Sequence, residues 1–313
     1  MSTTSAVPPT KAPKMTPGRW FKIVGWRHLV MVLAVLFALF PIGYILNLAF
    51  GGGSTLTSVC PQSYSGLQAT TCLIPQPWKW STNNFSDVLS SQQLPFTTWF
   101  RNSVIISTVV SFGSVLMGAA AAFAFSRMRF KGRRPGLLAL VLVQMFPQIL
   151  ALTAIYLLLS QIRDVFPALG LNSIWGLTLV YFGGTLGVNT YLMKGFFDTI
   201  PFEIDESARI DGASHVRIFF GMILRLAMPI LTVVFFVTFT GMFNELAIAS
   251  VILPNQQDTT LAVGLNSYVS NPLRQEWGLF AAGALMAAIP LLFVFSFAQR
   301  SLVTGLTAGS VKG

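Results

Sequence analysis

Long apolar runs, each able to cross a lipid bilayer, dominate this sequence: residues 29–50, 100–126, 136–160, 174–196, 226–252 and 277–299. A helix needs about 20 apolar residues to span the hydrocarbon layer. Inside that layer a helix satisfies its own backbone hydrogen bonds. The expected class is therefore an all-α integral membrane protein of about six transmembrane helices. Charge supports this, since 10% of residues are charged against about 25% in soluble domains.

Lys and Arg mark cytoplasmic loops, and their distribution orients the chain. Segment 1–28 carries Lys11, Lys14, Arg19, Lys22 and Arg27. Arg127, Arg129, Lys131, Arg133 and Arg134 follow the second run. Lys194, Arg209, Arg217 and Arg225 surround a polar stretch, 197–221, and Arg300 and Lys312 lie in the tail, 300–313. Of the 20 basic residues only Lys79, Arg101, Arg163 and Arg274 fall on the other side. Both termini are thus expected in the cytoplasm. The first run is too long for a signal-peptide core, so it reads as a retained span.

Loop 51–99 is then extracytoplasmic. It holds both cysteines, Cys60 and Cys72, and oxidising conditions there favour a local disulfide over two surface thiols. Trp78, Trp80 and Trp99 near its return fit either an interfacial belt or a small packed loop.

Catalytic and nucleic-acid readings find little support. A net charge of +10 would suit nucleic acid if clustered on one face, but here it is divided among loops between apolar runs. No G-x-x-x-x-G-K-[ST] phosphate loop occurs. His28 and His215 have no Cys or carboxylate at ligand spacing, so neither a metal nor another cofactor is expected.

The polar stretch is the informative part. Pro201 suits a helix start and Glu203, Asp205 and Glu206 favour its dipole. Gly212 suits a left-handed stop. Ser214 can cap a second short helix carrying Val216, Ile218, Phe219 and Phe220. Such a hairpin could lie on lipid, but anionic inner lipid would repel Glu203, Asp205, Glu206 and Asp211, which makes a protein partner the better reading.

Glu206-Ser207-Ala208 followed by Gly212 resembles the E-A-A-x-x-x-G loop of permeases in ATP-binding-cassette importers, and Asp211-Gly212-Ala213-Ser214 the D-G-A-[ST] form of sugar permeases. Pro229-Ile230-Leu231, Asn244-Glu245, Thr260 to Gly264 and the tail from Ala298 to Gly313 are similar to the maltose/maltodextrin branch. The resemblance implies a type I importer permease fold. The loop helix would dock in a cleft of the ATPase through Glu206, Ser207, Ala208, Asp211 and Gly212. The tail residues Gly305, Leu306, Thr307, Ala308 and Gly309 would reach between two ATPase subunits as a small, flexible segment. The implied partners are a homologous second permease subunit, an ATPase dimer, an extracytoplasmic solute-binding protein and membrane lipid. Maltose, maltodextrin, trehalose or another oligosaccharide is the implied cargo, with a different solute for the same family, such as glycerol phosphate, as the alternative.

Two departures accompany it. Ser207 replaces the first Ala, and Leu224-Arg225 stands where a Leu-Pro pair is usual, with Pro229 retained. The approach to the fifth span is therefore expected to be straighter, with Arg225 paired to a loop acid or a lipid phosphate.

Glu245 is the acid set inside a span, and such acids are costly unless they face a cavity, partner or pathway. It is expected in a pathway or subunit contact. Asn244, Asn189, Gln144 and Gln148 are weaker pathway candidates, because amides also join helices. Gly183 and Gly187 have the spacing of close helix packing. A carrier acting alone, coupled to ions, is the other class of reading, but it calls for more ionisable residues at mid-membrane than Glu245.

Overall fold

A computed structural model describes Gly18 and residues 21–52, 80–273 and 275–310, with no side-chain detail from 300 onward. Cys60, Cys72, Trp78, Lys79, Arg274, Lys312 and nearly all of residues 1–20 lie outside the described residues. Every regular element among the described residues is helical. In chain order these are α1 (Trp26–Ala49), α2 (Asn83–Ser90), α3 (Phe96–Arg127), α4 (Arg133–Gln144), α5 (Leu152–Val165) and α6 (Ile174–Phe197). They continue with α7 (Phe202–Ile210), α8 (His215–Leu226), α9 (Met228–Phe243), α10 (Ala247–Ile252), α11 (Leu261–Ser270) and α12 (Trp277–Ser310).

By length and composition, four described segments can cross a membrane: Trp26–Ala49, Phe96–Arg127, Gln148–Val165 and Trp277–Gln299. The bent pair α8–α9 can add a fifth. Gly183, Gly184, Thr185, Gly187, Asn189 and Thr190 dilute the apolar run of α6. Its 24 residues still measure about 36 Å, longer than the ~30 Å hydrocarbon layer.

Two of the apolar runs are broken rather than continuous. Run 136–160 divides at Pro147, which has no N–H to continue the ladder; α4 stops at Gln144 and a 3-10 turn, Gln148–Ala151, leads into α5. Run 226–252 divides at 244–246, between α9 and α10. The approach to α9 is also not straight. The axis turns 77° between α8 and α9, with Pro229 in the first turn of α9, where its ring denies room to the carbonyl four residues back. Retained Pro229 thus bends the chain where the missing Leu-Pro pair predicted a straighter path. Arg225 is exposed, and the ion pairs among the described residues do not include it.

Helix α3 is the central rod, packed along α6 and α9, while α12 runs beside α9 and the end of α1. Apolar clusters sit at both ends. The one at the Arg127 end of the rod, labelled inner, holds Phe123, Phe197, Ile218, Phe219 and Ile223; the one at its Phe96 end, labelled outer, holds Trp99, Phe96, Phe243, Leu261 and Tyr268. The outer end of α3 is pinned to the turn before α11. Trp99 Nε1 donates to the Gln256 carbonyl at 2.6 Å, Asn102 Nδ2 donates to that of Asp258 at 2.8 Å, and Ser103 Oγ accepts from Leu261 N at 2.8 Å. Trp99 is fully buried, so it anchors the core rather than an interfacial belt, whereas Trp80 stacks on Phe50.

A β-carbon on Gly264 would overlap the Trp99 indole. Gly264→Ala is expected to destabilise the outer cluster by about 1–3 kcal/mol, measured as a lowered melting temperature of the detergent-solubilised protein followed by tryptophan fluorescence. The same close approach recurs where α4 and its following turn meet α6: Gly187 lies against Gln144, and Gly184 against Gln148. Gly183 faces open space, so the contact pair is Gly184 and Gly187.

The expected flexible tail is also different. Backbone from Trp277 continues as one helix to Ser310, with Pro290 inside it.

Candidate functional site

Polar stretch 197–221 folds as a helix–turn–helix at the Arg127 end of the rod. Pro201 caps α7, one residue earlier than a first-turn position. The helix ends in a Schellman turn: Ala213 N donates to the Ala208 carbonyl at 2.9 Å and Gly212 N to that of Arg209 at 3.0 Å. Gly212 has φ +80°, the left-handed conformation such a turn demands at this position. Ser214 then caps α8, its Oγ accepting from Arg217 N at 3.3 Å. Gly212→Val is expected to cost about 1–2 kcal/mol and to loosen this turn, read as faster proteolysis between α7 and α8.

The two faces of α7 differ in chemistry. Asp205 and Ala208 are buried, at 3% and 2% exposure. Glu203, Glu206, Ser207, Asp211 and Gly212 are exposed, as is Ile210. The exposed face thus carries three acids, Glu203, Glu206 and Asp211, beside one base, Arg209. Among the residues predicted to dock, Ala208 alone is turned inward. It packs in the inner cluster with Phe197 and Phe219, so its small size lets α7 approach its own chain.

What holds α7 was not apparent as a site in the sequence. Arg127, at the end of α3, reaches Asp205 with Nε 3.2 Å from Oδ2; the two side chains are 1% and 4% exposed. Its Nη2 also donates to the carbonyls of Phe197 at 3.0 Å and Ile200 at 2.7 Å. The guanidinium lies 4.2 Å from the Phe202 ring centroid. Neighbouring bonds close the same corner. Ser126 Oγ donates to Asp198 Oδ1 at 2.6 Å, Lys194 Nζ donates to Asp198 Oδ2, and Arg133 donates to the carbonyls of Phe125 and Ser126. Partial burial alone would raise the Asp198 pKa, but hydrogen bonds from Lys194 and Ser126, with the charges of Lys194 and Arg133, hold it below the ordinary value.

The pathway candidates are scattered. Asn189 is buried and its Nδ2 donates to Ser114 Oγ at 3.2 Å and Thr238 Oγ1 at 3.1 Å, joining α6 to α3 and α9. Gln148 and Asn244 are exposed and Gln144 half-buried. Asn244 Nδ2 donates to the Thr240 carbonyl. Glu245 occupies the break between α9 and α10. Its carboxylate accepts from Ile248 N at 2.8 Å, Ala249 N at 3.0 Å and the Tyr181 hydroxyl.

Residues 114–307 match the family of binding-protein-dependent transport system inner membrane components. The chain belongs to this family. The matched region takes in the inner stretch and nearly all of α12. The maltodextrin transport system permease protein MdxG of Bacillus subtilis is 40% identical over 234 residues, 75% of this chain and 81% of that protein. Maltose/maltodextrin permease MalG of Escherichia coli K12 is 35% identical, covering 91% of this chain and 95% of its own. The galactooligosaccharide permease GanQ of Bacillus subtilis is 37% identical over 92% and 95% of the two chains. Among solved structures, a chain of a bacterial ABC transporter involved in the import of the polysaccharide alginate superposes with a TM-score of 0.69 at 22% identity. That match covers 92% of this chain and 99% of the other, and it establishes a shared fold.

Membership makes the chain a permease component of such an importer, with multiple passes through the membrane. Within the matched region, α7 keeps Glu203, Glu206 and Asp211 exposed while Asp205 and Ala208 pack inward.

Proposed function

We propose that this chain forms one half of the transmembrane path of an ATP-driven carbohydrate importer, and that α7 is where a separate ATPase acts on it. The observation that carries this reading is the outward acidic face of α7 on a helix whose other face is locked to the membrane core. Relatives named for maltodextrin, maltose and galactooligosaccharide transport favour an oligosaccharide cargo.

In this reading the chain crosses the membrane six times, with α4–α5 and α9–α10 as broken spans and both termini in the cytoplasm. A homologous second permease completes the path. An extracytoplasmic binding protein delivers solute, and an ATPase dimer receives Glu206, Ser207, Asp211 and Gly212. Closure of that dimer pushes α7 and switches access from one side to the other. The helical extension beyond Gln299, including Gly305 to Gly309, projects toward the ATPases. Apolar side chains around α1 (Phe37 is 81% exposed) face lipid or the second permease.

The test is reconstitution of the full complex with its binding protein. ATP hydrolysis should rise when maltose-loaded binding protein is added, and Glu206→Lys should abolish that stimulation. Uptake of sugar by the chain alone, without nucleotide, would overturn the proposal.

A further inference from the structure

Helix α7 is held to the rod by charge. The two side chains joining them are withdrawn from water, and neither oxygen of Asp205 nor Nη1 of Arg127 has a hydrogen-bond partner among the described residues. The attraction is therefore that of two opposite charges 3.2 Å apart, in surroundings that screen it poorly. Stability alone does not call for such a pair, since apolar residues of similar volume serve as well. What it fixes is geometry. Successive residues of a helix are about 100° apart, so holding Asp205 inward sets Glu206 and Ser207 outward.

Arg127 also grips the carbonyls of Phe197 and Ile200, at the end of α6 and in the turn to α7. One guanidinium therefore joins three elements. The rod it terminates is 32 residues long, about 48 Å, and its far end carries the bonds from Trp99, Asn102 and Ser103 to the turn 253–260 and the start of α11.

We propose that Arg127 and Asp205 are a positioning pair that makes α7 and α3 move as one body, so that a push on α7 is delivered to the outer turn 253–260. This rests on the reading of α7 as the ATPase-docking helix. Neither residue touches solute or nucleotide; both act through the orientation of Glu206 and Ser207.

The experiment places spin labels at Glu203→Cys, on α7, and Arg129→Cys, just beyond α3, with Cys60 and Cys72 replaced by serine. The distance between them is measured in the full complex with and without ATP. In the parent the distribution is expected to be narrow and the same in both conditions. Asp205→Asn keeps the side-chain shape and all Arg127 bonds to carbonyls, yet should broaden the distribution and shift it on nucleotide addition. A distribution that stays narrow and unshifted in Asp205→Asn overturns the proposal. If that variant does not accumulate, the double variant Arg127→Met, Asp205→Leu replaces it, with no unpaired buried charge and the same criterion. Failure of the docking reading looks different, because the parent chain itself would not retain the ATPase. The pair is then judged on the nucleotide-free distribution, which the substitution must still broaden.

Discussion

Arg127→Ala is expected to lower the stability of the chain by about 3–5 kcal/mol, the range for removing one partner of a buried ion pair. The substitution leaves Asp205, 3% exposed, as a buried anion with no counter-charge. It also takes the donor from the carbonyls of Phe197 and Ile200 and the guanidinium from the face of Phe202. The internal comparison is Lys194→Ala. Lys194 pairs with Asp198 one helical turn away, where the side chains are 18% and 41% exposed, and water screening leaves such pairs worth about 0–1 kcal/mol. The two variants are read side by side in the same detergent by thermal unfolding and by protease cleavage within 198–214. Arg127→Ala should melt well below Lys194→Ala and be cut faster. Equal melting temperatures would mean that the Arg127 corner is as exposed in solution as that of Lys194.

The sequence made the membrane class legible because bilayer thickness sets a length that few other constraints imitate. The turn at Gly212 was legible for a similar reason: its left-handed backbone admits few residues. The inner helix pair and the Ser214 cap followed from local chemistry that needs no knowledge of distant contacts. Straightness was harder to read. Hydropathy does not register a broken helix, so the division at Pro147 lay within an otherwise unbroken apolar run. At α9 a missing proline in the family pattern outweighed the one still present, Pro229, and it is Pro229 that bends the chain.

The Arg127–Asp205 pair could not be read from the sequence, because its partners are 78 residues apart and each had a sufficient local explanation. Arg127 sat among five cations that marked a cytoplasmic loop, and Asp205 among acids that suited a helix start. What singles them out is burial, a property of the packed chain. Ala208 and Trp99 moved for the same reason. A small residue beside an exposed acid and a tryptophan near the end of a span both face inward, since the α7 azimuth and the turn 253–260 are set by contacts far along the chain.

Glu245→Leu is expected to cost roughly 3 kcal/mol, because its carboxylate serves three donors and charge-assisted hydrogen bonds rank among the strong ones. Loss of the side chain frees the Ile248 and Ala249 N–H groups at the start of α10 and the hydroxyl of Tyr181, which is 2% exposed. The Leu253 and Ile252 end of α10, buried in the cluster with Ile106 and Leu177, should loosen with it. Glu245→Gln separates the two roles open to an acid at this depth. A glutamine Oε1 can keep one or both backbone bonds, while its amide nitrogen cannot accept from Tyr181. If Glu245 acts by holding the break between α9 and α10, the glutamine variant falls between wild type and leucine in thermal stability. Solute uptake by the reconstituted complex then declines in step with stability, and Tyr181→Phe reproduces part of the loss at about 1 kcal/mol. A glutamine variant as stable as wild type yet unable to transport would instead place the negative charge itself in the solute path.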